Sequence, residues 1–261
     1  MKIAYQMKLK DLVERTSLKT AGRNVGLDVH VVNGQVLCTP LDPDDPRYST
    51  DFILPSMKMV EACRADDCAF FQPAVSAGLL TEEQMRRASA RYHLGKTKSG
   101  KPMFWMIDDM LDPLDAHLGA DSWLSMLLKA RQPLLRRWHP HHCLFGLHLL
   151  TTPLPIAIVE SEATAVVLSE LFPETLWMAY ADVTLLNEDL FRPLAGRTVT
   201  IYPRADTYSS TYLYFDEMVA NLRQSLHLTV SVATILEEHA TQEQKSRSID
   251  ILDFILENEQ P

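Results

Sequence analysis

The chain has 261 residues and a mass of 29.6 kDa, 46% hydrophobic and 23% charged, which is enough apolar material for one large domain or two small ones. That balance sets aside a disordered chain, and no run approaches the roughly 20 apolar residues of a membrane span. The net charge of -9 is uneven: residues 151–261 carry 17 acidic against 6 basic side chains, so this half repels polyanions unless a cation or a local basic surface intervenes.

The first region, residues 1–90, reads as α+β. MKIAYQMKLKDLVERTSL suits an amphipathic helix with Leu9, Leu12 and Val13 on one side. The same opening lacks the apolar core and cleavage site of a secretory signal, so a cytoplasmic location is expected. VGLDVHVVNGQVLC (25–38) alternates and carries Asn33-Gly34, a pair that accepts the positive φ angles of a tight hairpin turn. TPLDPDDPRYST (39–50) is a loop. LTEEQMRRASARY (80–92) predicts a helix with Thr81 as N-cap and acids in its first turn.

Cysteines stand at positions 38, 63, 68 and 143, and in a cytosolic protein they stay reduced. Cys63 and Cys68 lie in CRADDC, a spacing zinc tolerates. A structural zinc site needs four ligands, and only Cys38 and His30 are available upstream. Two half-buried thiols are therefore expected, and zinc is not.

Residues 91–150 lead into the second half of the chain. RYHLGKTKSGKPMFWMID (91–108) predicts a hairpin turning near Ser99-Gly100, with Lys96, Lys98 and Lys101 around Tyr92, Phe104 and Trp105. Lysines among aromatics suit single-stranded nucleic acid, where bases stack and ammonium groups meet phosphates. The plainer alternative is a solvated turn beside core aromatics. DSWLSMLLKARQPLLRRW (121–138) reads as a helix broken at Pro133. In HPHHCLFGLHLL (139–150), neighbouring side chains of an extended chain face opposite ways, so the histidines do not converge on one ion. A polar loop before a buried Cys143-Leu144-Phe145 is expected there.

From residue 151 the pattern becomes a regular α/β alternation. Strands LPIAIVE, TLWMAY (175–180), RTVTIYP and LTVSVA (228–233) are short and apolar, as in a parallel sheet covered on both faces. Helices are predicted near 162–172, 187–194, 209–226 and 247–258, and Thr241 with Gln244 forms a capping-box pattern. The predicted fold class is α/β: a doubly wound, mostly parallel C-terminal sheet over 151–261, preceded by an α+β region with β-hairpins.

In such a sheet the functional crevice opens at the carboxyl ends of the strands. Glu160 ends the first strand, Asp206 follows the third, and Asp250 lies at the last helix, with Asp253 three residues on. Magnesium takes one or two protein carboxylates and completes its shell with water and phosphate, so Glu160 and Asp206, assisted by Asp250, are candidate ligands. Acids at helix starts are also common because the helix dipole favours them, and Glu162 is assigned to that class. No G-x-x-x-x-G-K-[ST] loop is present, which argues against ATP-driven movement.

The run IAIVESEATAVVLSELFPETLWMAYADVTLLNEDLFRPLAGRTVTIYPRAD resembles the Toprim domain of bacterial primases and topoisomerases, closest to primase-like Toprim proteins of bacterial mobile elements. YHLGKTKSGKPMFWMID and HHCLFGLHLL are similar to the region before Toprim in such proteins. The CRADDC region is similar to a degenerate form of their zinc-binding module. The resemblance implies that Glu160 acts in acid–base or metal chemistry. It also implies that Asp206 matches the second member of an Asp-x-Asp magnesium pair whose first position is here Arg204. Ser161 stands where the family has glycine, and AYADVTLL (179–186) lacks the glycine of the second turn.

An arginine in place of a ligating carboxylate discourages a cation and attracts phosphate, or pairs internally with Glu160 or Asp206. What is expected is thus a Toprim, primase-like protein that binds single-stranded nucleic acid through Lys96, Lys98, Lys101 and Arg204. Its metal-dependent phosphoryl transfer should be impaired or absent. The alternative is a non-catalytic adaptor that meets a protein partner on a retired Toprim fold.

Overall fold

The computed structural model describes residues 57–97, 99–118, 121–122, 143–181, 183 and 186–258, and the strand segments 3–4, 27–32 and 35–40. The chain divides into two compact units, residues 1–55 with 120–141 and residues 56–119 with 142–261.

In the first unit β1 (Ile3–Ala4), β2 (Leu27–Val32) and β3 (Gln35–Pro40) form an antiparallel sheet in the order β1-β3-β2. Val32 faces Gln35, so β2 and β3 pair as the predicted hairpin, and the Asn33-Gly34 turn itself lies outside the described residues. Ile3 and Ala4 are strand, not the start of a helix. Their partners Cys38 and Leu37 on β3 supply pairing that outweighs a weak local helical preference. The remainder of that expected helix, with Leu9, Leu12 and Val13, lies outside the described residues. A two-residue strand, β7 (Asp121–Ser122), stands where a helix is predicted to begin, and the rest of 121–138 is also outside.

The second unit opens with α1 (Met57–Ala62), α2 (Gln72–Ser76) and α3 (Glu82–Arg91). Thr81 caps α3 as the sequence predicts: its hydroxyl accepts from Gln84 N, and the Gln84 side chain returns to Thr81 N at 3.0 Å. The predicted hairpin follows as β4 (Gly95–Lys96) paired with β5 (Pro102–Ile107), and β5 pairs in turn with β6 (Pro113–Leu118), all antiparallel.

Four parallel strands form the main sheet: β8 (Ile156–Val159), β9 (Leu176–Ala179), β10 (Thr198–Ile201) and β11 (Thr229–Val232), in the order β11-β10-β8-β9. The connections are α4 (Glu162–Leu171), a 3-10 helix at Glu188–Leu194 and α5 (Ser210–Ser225). After β11 come α6 (Ile235–His239), α7 (Gln242–Ser246) and α8 (Ile251–Asn258), the last starting four residues later than its sequence pattern suggests. Asp250 and Asp253 set that start by exchanging side-chain bonds with each other's backbone N–H, at 2.9 and 3.2 Å. Thr241 and Gln244 make the predicted capping box.

Strand alternation divides the core in two. Ala157, Val159, Trp177 and Ala179 face α3, α4, α8, Phe104 and Met106. Ile156, Ile158, Met178, Val199 and Ile201 face Leu190, Phe191, Phe215, Val219 and Leu222. Over β8 and β9 both faces are buried, and these two strands are continuously apolar as expected. β10 and β11 instead alternate and expose Thr198, Thr229 and Ser231 on the face that continues Ala157 and Trp177, so the outer half of the sheet is covered on one face only. Each buried Val, Leu, Ile or Phe contributes about 1.5–3 kcal/mol, so this three-layer arrangement dominates the stability of the unit.

Leu144 and Phe145 are buried as expected, and Phe145 exchanges backbone hydrogen bonds with Ala179 at 2.8 and 3.1 Å along β9. At the other side of the sheet Arg223 of α5 donates its Nε–H to Val230 O of β11 at 2.8 Å.

Candidate functional site

The strand order reverses between β8 and β10: the chain leaves β8 for β9 on one side and returns to β10 on the other. The carboxyl ends of these two strands therefore border the crevice where open α/β sheets place ligands. Glu160 follows β8 directly, and Arg204 and Asp206 follow β10. Tyr202 N donates to Ile158 O at 2.8 Å, and Ala205 N to Ile249 O at 2.9 Å, which fixes the path of the segment bearing both residues.

Glu160 Oε2 lies 2.9 Å from Arg204 Nε, and the Tyr180 hydroxyl donates to the same oxygen at 3.3 Å. The Arg204 contact is an ion pair without an aligned hydrogen bond, with both side chains about one-third exposed, at 37% and 31%. Burial pushes the Tyr180 phenol well above its ordinary range, and the Glu160 charge adds to that rise. Tyr180 therefore stays protonated and acts as a donor.

Asp206 is held differently. Its Oδ1 accepts from Tyr208 N and Ser210 N, both at 3.0 Å, and its Oδ2 from Thr211 N at 2.8 Å. The Ser210 and Thr211 N–H groups are orphans of the first turn of α5, which Ser209, in the left-handed region with φ +54°, does not cap itself, and the Tyr208 N–H lies just before that cap. Partial burial opposes ionisation, but the N–H donors prevail and bring the carboxyl down to about 2. Asp206 thus fills the anion site of its own helix.

Asp250 accepts the Thr164 hydroxyl as well as Asp253 N, so it ties the start of α8 to the first turn of α4. Burial raises the Asp253 carboxyl, and the neighbouring Asp250 charge adds to it. Glu162, assigned from sequence to a helix-start role alone, also reaches His117 Nδ1 on β6 at 2.6 Å, and Asp115 Oδ2 is 4.0 Å from the other ring nitrogen. Sequence reasoning gave no signal for His117 or Asp115, because an antiparallel strand remote in sequence brings them here. Ser209 Oγ donates to Glu237 Oε2 at 2.6 Å, and the largely buried Lys245 donates to the same oxygen at 3.0 Å.

A cleft of about 490 Å³ opens beside Glu160 and is lined by Tyr180, Val183, Leu186, Ser210, Thr211 and Tyr214. Two residues whose N–H groups bind Asp206 therefore share a wall with Glu160. The structure brings Glu160 together with Arg204, and it seats Asp206 on the adjoining helix terminus. Among the described residues no group of three His, Cys, Asp or Glu side chains has the geometry to hold a metal ion. The donor set does not fit hydrated magnesium as it stands, because Glu160 is paired with a cation and Asp206 has three N–H donors.

The basic hairpin is less open than its sequence suggests. Lys96 Nζ donates to Asp67 O at 2.6 Å and lies 2.5 Å from Asp67 Oδ1, and the side-chain contact lowers the Asp67 carboxyl. Lys101 is exposed, and Lys98 lies outside the described residues. Tyr92, Phe104 and Trp105 are buried, and the Tyr92 hydroxyl donates to Trp177 O at 2.7 Å, so these rings belong to the core and cannot stack on bases. Cys68 is buried and its thiol is pushed up to about 11, while burial also raises Cys63.

Over residues 114–205, less than half of its length, the chain matches a protein family described as a domain of unknown function (DUF6371). The matched stretch takes in His117, Glu160, Glu162, Tyr180 and Arg204, and stops one residue short of Asp206. No curated relative matches the chain.

Proposed function

We propose that this protein is a Toprim-related, primase-like nucleic-acid-binding protein in which an internal cation has replaced the catalytic metal. The observation that carries the reading is the 2.9 Å contact between Arg204 Nε and Glu160 Oε2 at the switch point of the parallel sheet. A guanidinium there supplies the positive charge that a metal would bring and can donate hydrogen bonds to phosphate oxygens, but it is no Lewis acid and cannot activate water. The parallel sheet with Glu160 after one central strand and Asp206 after its neighbour supports Toprim ancestry. The lost first aspartate supports loss of phosphoryl transfer.

Calorimetry with magnesium and manganese tests this on wild type and on Arg204→Asp. The variant restores a carboxylate and removes the competing cation, so saturable metal uptake is expected in the variant and not in wild type. Equal uptake by both proteins would show that Arg204 does not occupy the metal position.

The second reading, a protein-binding adaptor on the same fold, is favoured by the buried hairpin aromatics and by the tethering of Lys96. A mobility-shift assay with single-stranded DNA at low and moderate salt separates the two. Retarded DNA supports the first reading, and unretarded DNA at low salt supports the second.

A further inference from the structure

We infer that His148 is an acid-released latch: its neutral ring locks residues 144–150 onto the end of α3, and protonation frees that segment from the edge of β9. His148 lies on a short 3-10 helix, Leu147–Leu149, and is only 7% exposed. Its Nε2–H donates to Arg91 O at 3.1 Å. Arg91 is the last residue of α3, so this bond satisfies a carbonyl that the helix itself leaves open. A carbonyl only accepts, so Nε2 carries the proton and Nδ1 is bare in the neutral ring. Nδ1 is buried and has no hydrogen-bond partner among the described residues. Two rings pack on the imidazole, Tyr92 edge-on at 6.3 Å and His93 tilted at 5.4 Å. Tyr92 also stacks on Phe145 at 5.2 Å, so the histidine and the residue paired with β9 share one aromatic cluster.

A second proton would have to enter at Nδ1, where it finds no acceptor. The charged and titratable groups around the ring do not help it. Arg91 and His93 bring positive charge from α3, and the Tyr92 hydroxyl is committed to Trp177 O. Glu61 of α1 lies 3.5 Å from His93 Nδ1, and Glu170 of α4 is held by Arg87 and Arg91. Among the described residues neither carboxylate is paired with His148. An imidazolium in this seat is therefore a buried charge without compensation. Burial holds the ring down at about 4, against an ordinary 6.5; the bond to Arg91 O opposes the fall and His93 adds to it. Because the folded value lies below the unfolded one, the latch is fully closed above about pH 6.5 and weakens as pH falls toward 4. A ring that leaves its seat takes up the proton. The segment released with it gives up the two backbone bonds between Phe145 and Ala179 and bares Leu144, Phe145 and Leu147.

Hydrogen exchange of the Phe145 and Ala179 amides in the full chain, corrected for intrinsic rates, tests the latch at pH 7.5 and pH 5. In wild type the opening constant should be about thirtyfold larger at pH 5, the linkage expected of one proton taken up on opening. His148→Gln keeps an N–H able to reach Arg91 O and takes no proton, so its opening should be nearly equal at both pH values. His148→Phe fills the seat without a donor and should open more at both, again without pH dependence. His93→Asn should leave the rise in place. NMR titration of the wild-type His148 ring should find its midpoint near 4, and it decides the matter even if a variant fails to fold. A rise below about threefold in wild type, the full rise kept in either His148 variant, its loss in His93→Asn, or a ring titrating near 6.5 in the folded protein would overturn the latch. None of these measurements involves Glu160, Arg204 or a metal, so the latch and the proposed function fail separately.

Discussion

Replacing Asp206 with asparagine decides whether this carboxylate is a helix cap in use or a metal ligand held in reserve. Its three backbone donors hold it at about 2, against an ordinary 3.8, despite the opposing effect of partial burial. The gap corresponds to about 2 kcal/mol of preference for the ionised form. Solvent screening at this rim position reduces the usable part to about 1 kcal/mol. Because the folded value lies below the unfolded one, the contribution is complete above about pH 4 and disappears as pH falls through about 2. Asp206→Asn should therefore lose about 1 kcal/mol at pH 7, with the difference from wild type closing between pH 4 and pH 2. Urea unfolding across that range, with the carboxyl carbon of Asp206 titrated by NMR, measures both halves of the prediction. A variant as stable as wild type at pH 7, or a carboxyl titrating near 4, would refute the cap and return Asp206 to the pool of available ligands.

Other substitutions probe the frame and the hairpin. Gly146 has φ +86°, and a Cβ there would stand 3.1 Å from both Trp177 O and the Tyr92 ring, so Gly146→Ala should cost about 2 kcal/mol in thermal melts. Thr81→Ala removes one half of a capping box and should cost about 1 kcal/mol by urea unfolding, with native spectra otherwise kept. Lys101→Glu should lower the salt slope of single-stranded DNA binding by about 1 if the hairpin touches phosphate. An unchanged slope removes the hairpin from the interface.

Much of the second unit is legible because its signals are local. The runs that became β8 and β9 are apolar at every position, those of β10 and β11 keep Val199, Ile201 and Val230 buried, and the capping residues Thr81 and Thr241 act within four positions of themselves. Glu160, Arg204 and Asp206 could be singled out because strand ends are readable from such runs. Which of the two acids Arg204 would pair with could not, since this depends on the strand order β10-β8. His117 reaches Glu162 from 45 positions away, a juxtaposition no spacing rule encodes. Of the two readings of the lysine–aromatic hairpin, the structure matches core aromatics beside a polar turn, but the sequence alone left both open: the burial of Tyr92, Phe104 and Trp105 is set by the layer packed against them, not by their neighbours in sequence.

The parallel sheet also guards its two borders by different means. Phe145 satisfies both backbone groups of Ala179 along β9, and the Arg223 guanidinium covers the Val230 carbonyl on β11. An unprotected border strand is a template for strand addition by another chain, the usual first step in aggregation. With one margin bridged by a single residue and the other blocked by a charged side chain, the sheet resists lateral growth into a larger assembly, even though β8 and β9 are wholly apolar.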